Sequence, residues 1–164
     1  MNTAYLLTGG NLGNRLNNLN TAKIYLEEIC GQIISVSSIY ETKAWGIKDQ
    51  PDFYNQAIIL ETNSTPAELL KKIHVIEKKM GRKRKVKFGP RIIDIDILLY
   101  NNNIIKTKSL NVPHPFLPER RFALMPLAEI AGNVIHPVLQ KTIQTILQEC
   151  TDDSGVYKIS EENL

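Results

Sequence analysis

Apolar positions along the chain follow two spacings in turn. Residues 3–8, TAYLLT, form a mostly apolar run that ends at Gly9-Gly10, the pattern of a short buried strand closed by a turn. From Asn14, a suitable N-cap, Leu19, Ala22, Leu26 and Ile29 recur at the helical period, and Gly31 follows as a stop. Residues 33–41, IISVSSIYE, alternate as a strand does. After a connection holding Gly46 and Pro51, residues 53–62, FYNQAIILET, predict another strand. Thr65-Pro66-Ala67-Glu68 has the form of a capping box with proline at the first helical position. The helix it opens carries Leu69, Ile73, Ile76 and Met80 on one face and ends at Gly81. RIIDIDILLY, 91–100, is the strongest strand pattern in the chain, followed by a turn at Asn101-Asn102-Asn103 and a short strand around 104–106. The proline-rich remainder predicts short helices near 119–131 and 142–149.

The order β-α-β-β-α-β predicts an α+β fold of the ferredoxin-like kind. Its sheet is antiparallel, two helices lie on one face, and short helices are added at the C-terminal end. A length of 164 residues predicts one domain over 1–164, large enough to stand without staples. Cys30 and Cys150 have no paired spacing, so neither a disulfide framework nor a zinc site is expected. There is no signal-peptide pattern and no apolar stretch long enough to span a bilayer. The expectation is a cytoplasmic protein, monomeric, with no membrane partner.

Charge changes the picture more than composition does. The net charge is only +3, yet Lys78, Lys79, Arg82, Lys83, Arg84, Lys85, Lys87 and Arg91 fall within 78–91 with no acid among them. Such a block repels itself and calls for an anion nearby, whether nucleic acid, membrane or polyphosphate.

Directly after it, Asp94-Ile95-Asp96 places two carboxylates inside an apolar strand. Strand side chains alternate, so both acids share one face while Ile93, Ile95 and Ile97 take the other. At about 3.3 Å per residue their Cα atoms lie roughly 6.5–7 Å apart, a spacing suited to clamping hard cations with oxygen ligands. A solvated strand face is the plain alternative, but Asp is depleted in strands. Carboxylates for metal beside arginines for phosphate are the pairing that phosphoryl transfer needs.

The run Lys87-Phe88-Gly89-Pro90-Arg91-Ile92-Ile93-Asp94-Ile95-Asp96-Ile97-Leu98 resembles the defining motif of the 6-hydroxymethyl-7,8-dihydropterin pyrophosphokinases of folate synthesis. The resemblance extends through Gly9-Gly10-Asn11-Leu12-Gly13, Ser37-Ser38, Tyr40-Glu41-Thr42 and Asp49-Gln50-Pro51-Asp52-Phe53-Tyr54-Asn55. Glu77, Gly81-Arg82, Val112-Pro113-His114-Pro115 and Arg120-Arg121-Phe122 complete it. It implies that Asp94 and Asp96 bind two magnesium ions bridging the triphosphate of ATP. Arg82, Arg84 and Arg91 would lie at the phosphates, with His114 as a phosphate contact, Arg120 closing the site and Glu77 supporting the nucleotide side. The pterin would lie between Phe53 and Phe122, its polar edge bonded by Asn55 and by groups near Thr42 and Trp45. The hydroxymethyl oxygen would attack the β-phosphorus, leaving AMP and the pterin pyrophosphate. Arg82, Arg91, Asp94 and Asp96 are then the catalytic set, with no separate general base.

Three departures from that pattern bear on loop shape and substrate affinity. Lys43-Ala44-Trp45 stands where relatives often carry proline and a smaller apolar residue, Phe88 replaces a common tryptophan in a shortened 85–89 stretch, and His74 replaces a frequent amide. Two rival functions keep the fold and change the chemistry. RNA binding would need basic and aromatic residues where the central strand offers aspartates, so no nucleic-acid partner is expected. A phosphohydrolase or nucleotidyltransferase would use the same acid pair but differ in its products.

Overall fold

In the computed structural model, residues 1–44, 49–82 and 89–164 are described. The first strand, β1 (Asn2–Gly10), leads into α1 (Arg15–Ile29), whose N-cap Asn14 accepts a hydrogen bond from the Asn17 N–H through its side chain. Then come β2 (Gln32–Val36), β3 (Tyr40–Thr42) and β4 (Phe53–Thr62). The capping box forms as expected: Thr65 Oγ1 accepts the Glu68 N–H, Glu68 accepts the Thr65 N–H, and α2 (Pro66–Lys79) follows. After β5 (Asp94–Tyr100) the chain makes a small hairpin, β6 (Ile105–Lys106) with β7 (Asn111–Val112), and a 3₁₀ turn at Leu117–Glu119. Then come α3 (Arg121–Ala131), α4 (Ile143–Glu149), a short strand, β8 (Val156–Lys158), and a last 3₁₀ turn at Glu161–Asn163.

The main sheet runs β5-β1-β4-β3-β8, with β2 also paired to β4, and every pairing is antiparallel. One face carries Ala4, Leu6, Ile58, Leu60, Ile95 and Ile97 against Leu19, Ala22 and Leu26 of α1 and Leu69, Ile73 and Ile76 of α2. The other carries Leu7, Ala57, Leu98 and Leu99 against Leu124 and Leu127 of α3 and Ile143 and Ile146 of α4. Burying apolar surface on both faces makes β1 and β4 almost wholly buried strands. Among the described residues no helix is long and apolar enough to cross a membrane.

Three expectations are corrected. The single strand expected at 33–41 is two strands. β4 is long enough to pair with β2 along its second half and β3 along its first, and the chain crosses between them at Ser37. There Ser37 Oγ accepts the Ala57 N–H and the Ser37 carbonyl accepts from Gln56 Nε2. The strand expected at 91–100 starts only at Asp94, because the Arg91 carbonyl is turned back to accept the N–H groups of Asn11 and Leu12. The C-terminal helices form the second layer over the sheet, and β8 adds a strand that the sequence pattern did not suggest.

Candidate active site

Three segments meet where β1 ends. Gly9 lies opposite Asn55 of β4 on one side and Asp94 of β5 on the other. A Cβ on Gly9 would lie 2.3 Å from Asn55 Oδ1, and one on Gly10 would lie 2.1 Å from the Ile92 carbonyl oxygen. Glycine is what lets the Asn55 amide and the start of β5 close on this turn.

At the head of β5, Ile93, Ile95 and Ile97 enter the core shared with α1 and α2, and the carboxylates of Asp94 and Asp96 take the opposite side. Burial raises the Asp96 carboxyl to about 7, and the negative charge of Asp94 adds to the effect. Arg82 answers part of that charge: its Nη1 donates to Asp94 Oδ1 at 2.7 Å and also pairs with Glu77 Oε2. Burial disfavours the Arg82 charge, but Asp94 and Glu77 more than offset this and hold its pKa above the ordinary value. Arg91 reaches the same carboxylate, with Nε 3.3 Å from Asp94 Oδ2, while its Nη1 donates to the Gly89 carbonyl.

Glu77 is buried in α2, and burial pushes its carboxyl upward against the opposing charge of Arg82. Its Oε2 also accepts the N–H of Ile95 at 3.0 Å. β5 lies at the end of the sheet, and this bond satisfies a backbone donor between the two aspartates. Glu77 therefore holds both Arg82 and the strand that carries the acid pair.

On the far side, α3 begins with Arg120 as its N-cap and Phe122 in its first turn. The Arg120 guanidinium lies over the rings of Phe116 (5.0 Å) and Phe122 (5.6 Å). Burial lowers the Arg120 pKa, with Asp96 and Asp94 pulling it back. His114 is lowered to about 4, by burial first and then by Arg120, so it is neutral near pH 7. Its Nδ1 accepts the Phe116 N–H, which leaves the ring proton on Nε2 as a donor.

The remaining expected residues form a neutral wall. Phe53, Asn55 and Thr42 are 8%, 6% and 5% exposed, and Asn55 Nδ2 donates to Thr42 Oγ1 at 3.2 Å. One face of the Phe53 ring is covered by the Arg91 guanidinium, 4.9 Å from its centroid. Arg91 thus spans the charged cluster and the neutral wall. The structure brings Arg82, Glu77, Asp94, Arg91 and Phe53 into one chain of contacts, and sets Thr42 with Asn55 and Arg120 with Phe122. Trp45, Arg84 and Phe88 lie outside the described residues.

Two contributors had no role assigned from the sequence. Asn11 is 2% exposed and bonds to both flanking loops. Arg15 donates to Glu41 Oε2 and to the Asp52 carbonyl and lies over the Tyr54 ring, tying β3 to the start of β4. The glycine-asparagine run was the one signal pointing to Asn11. Nothing in the spacing of Arg15 pointed to it.

Residues 5–132 match the family model for 7,8-dihydro-6-hydroxymethylpterin-pyrophosphokinase. The chain belongs to this family. It is 47% identical over 151 residues to the 2-amino-4-hydroxy-6-hydroxymethyldihydropteridine pyrophosphokinase of Aquifex aeolicus, covering 92% of this chain and 94% of that protein. The enzyme of the same name from Bacillus subtilis is 45% identical over 134 residues, covering 81% and 80%. A crystal structure of Plasmodium falciparum HPPK-DHPS superposes with a TM-score of 0.72 at 22% identity, over 91% of this chain and 43% of that one. That likeness supports a fold of mixed helices and antiparallel sheet. The family reaction is pyrophosphoryl transfer to hydroxymethyldihydropterin in folate synthesis.

Proposed function

We propose that the protein transfers the terminal pyrophosphate of ATP to 6-hydroxymethyl-7,8-dihydropterin, at the junction between the Asp94–Asp96 pair and the Phe53–Asn55–Thr42 wall. The observation that carries this reading is Arg91, which touches Asp94 on one side and the Phe53 ring on the other. A site reading phosphate and a flat ring at once needs such a bridge.

Asp94 and Asp96 are hard oxygen donors on one side of one strand, and burial, with the negative charge of Asp94, pushes Asp96 toward holding a proton. That donor set fits magnesium. Among the described residues there is no group of three or more His, Cys, Asp or Glu that could hold a metal, so phosphate oxygens and water would complete the coordination of two ions. Magnesium held there would supply charge neutralisation of the triphosphate and polarisation of the phosphorus.

The chain's own residues do the rest. Arg82 and Arg91 pair with Asp94 and offer guanidinium N–H groups to the phosphates; Arg84 is proposed to join them. His114 donates through Nε2 to a phosphate oxygen while remaining neutral. Arg120 brings a further cation from the start of α3, and Glu77 supports the nucleotide side through Arg82 and Ile95. The pterin stacks between Phe53 and Phe122 while Asn55, Thr42 and the segment at Trp45 read its polar edge. Stacking on the covered face of Phe53 requires the Arg91 guanidinium to swing toward the phosphates. The hydroxymethyl oxygen then attacks the β-phosphorus, the bond to the α-phosphate oxygen breaks, and AMP leaves. Positioning and charge neutralisation supply the acceleration, without a dedicated general base.

The strand order is read as ferredoxin-like, with β5, β1, β4 and the β2–β3 pair as its four positions. We read residues 1–164 as one domain and the enzyme as a cytoplasmic monomer. ATP labelled at the β-phosphate tests the chemistry. The label should leave attached to the pterin. Label left in ADP, or released as free pyrophosphate beside unmodified AMP, would indicate a hydrolase, and release as free pyrophosphate with an adenylylated product would indicate a nucleotidyltransferase.

A further inference from the structure

The side chain of Asn11 uses both of its donors and its carbonyl oxygen, and its partners lie on separate segments. Its Nδ2 donates to Gln50 Oε1 and to the Pro51 carbonyl, both at 2.9 Å. Its Oδ1 accepts the Arg91 N–H at 2.9 Å, and its backbone N–H donates to the Arg91 carbonyl at 3.0 Å. An amide with two donors and one acceptor is the side chain that suits two carbonyl-type oxygens on one side and an N–H on the other. At 2% exposure water cannot replace any of these bonds cheaply.

The partners matter for what they carry. Pro51 and Asp52 lead directly into Phe53, which begins β4, and Arg91 has its side chain against Asp94 and over Phe53. The turn that presents Asn11 is fixed in turn by Gly10, packed on the Ile92 carbonyl. We infer that Asn11 is a positioning residue for the transfer, setting the Arg91 backbone and the Phe53 segment at a fixed distance so that phosphate and pterin meet in register. It touches neither substrate and acts through Arg91 and the Gln50–Phe53 segment. The inference rests on the pyrophosphokinase reading for its kinetic consequence, but not for the tie itself.

Three variants separate its parts. Asn11→Ala removes the side-chain bonds to both segments and leaves the backbone N–H bond to the Arg91 carbonyl. Asn11→Asp keeps an acceptor for the Arg91 N–H and sets a carboxylate against Gln50 Oε1 and the Pro51 carbonyl. Gln50→Ala removes one partner while leaving Asn11 intact. A misplacement of this kind costs about 10²-fold in turnover, so Asn11→Ala should lower kcat by about that factor. The decisive arm is a double-mutant cycle with Arg91→Ala, in which losing Asn11 should cost less than about threefold. Fully multiplicative losses would mean that Asn11 supports the fold in general and would overturn the proposal.

Amide hydrogen exchange on the substrate-free protein reads the tie without any activity. The Arg91 amide should lose protection in Asn11→Ala and keep it in Asn11→Asp, while the Ile95 amide, held by Glu77, stays protected in both. Unchanged protection at Arg91 in Asn11→Ala would overturn the inference whatever the kinetics. Should Asn11→Ala not fold, Asn11→Asp and Gln50→Ala must still lower kcat in the wild-type background and lose most of that effect beside Arg91→Ala, or the inference fails. A wild type that forms no pterin product would refute the functional reading alone, and the exchange result would still decide the tie.

Discussion

The two halves of the site are built on opposite principles. On the Asp94 side, charges are stacked against one another: Asp94 and Glu77 are held by Arg82 and Arg91, and Asp96 feels the charges of Asp94 and Arg120. On the Phe53 side, Thr42, Asn55 and Phe53 are neutral and buried, and Asn55 is bonded to Thr42. The charged half is a set of groups whose best partners are ions and phosphates, so its present pairings are substitutes to be exchanged. The neutral half is already complete, and a flat ligand adds to it without breaking much. Ligand binding should therefore rearrange the first half and leave the second nearly unchanged.

The comparison breaks hardest at Asp96. Asp96→Asn keeps the shape and removes the charge, and should lower kcat about 10³-fold, as loss of a principal electrostatic group does, while pterin affinity moves little. Steady-state AMP formation with pterin titrated at saturating ATP checks this; a loss below tenfold would mean that the acid pair is not the metal site.

The neutral half should answer in affinity. Asn55→Ala leaves Thr42 without its partner and removes the edge contact, for about 1–3 kcal/mol or roughly 5–160-fold in pterin KM, with ATP KM unchanged. Calorimetric titration of pterin into the nucleotide-bound enzyme reads this directly, and an equal loss for both substrates would dissolve the distinction between halves.

Proton competition sharpens it further. Asp96 holds its proton up to about pH 7 in the folded protein, above the value of 3.8 for a free aspartate. With a raised folded-state pKa, the metal-free fold is favoured below the unfolded value and loses that contribution as pH rises toward about 7. Magnesium must displace the same proton. Half-saturating magnesium should therefore rise about tenfold for each pH unit below 7 and level off above it. A flat magnesium requirement from pH 5.5 to 7 would contradict the assignment. Asn55 and Thr42 do not titrate, so the intrinsic pterin contacts should show no such slope.

The smallest effect belongs to Phe53. Phe53→Leu keeps apolar volume and removes the aromatic face, worth about 0.5–1.5 kcal/mol per stacked pair, so pterin KM should rise about 3–10-fold. Unchanged pterin affinity would place the ring elsewhere.

Much of this was legible in the sequence, for reasons that differ by element. The caps at Asn14 and Thr65 and the apolar spacing of α1, α2 and β4 are local signals, and all of them formed within a residue or two. Asp94-Ile95-Asp96 was legible because two acids inside an apolar strand violate local preference, and the alternation that puts them on one side is intrinsic to a strand. The break at Ser37 was not legible: it exists only because β4 is long enough to take two partners. The role of β8 depends on the free edge of β3, more than a hundred residues earlier. Asn11 and Arg15 act through bonds to carbonyls and side chains of distant segments, which leave no periodicity to read. Glu77, an ordinary helix acid by its neighbours, gains its meaning from the Ile95 N–H.

The central claim is that the charged half moves pyrophosphate only onto a ligand held by the neutral half. Product analysis with ATP, magnesium and 6-hydroxymethyl-7,8-dihydropterin, wild type beside Asp96→Ala, tests it most directly. AMP should form only when the pterin is present, in equal amount to pterin pyrophosphate, and neither product should come from the variant. ADP, or AMP formed without any pterin, would contradict it.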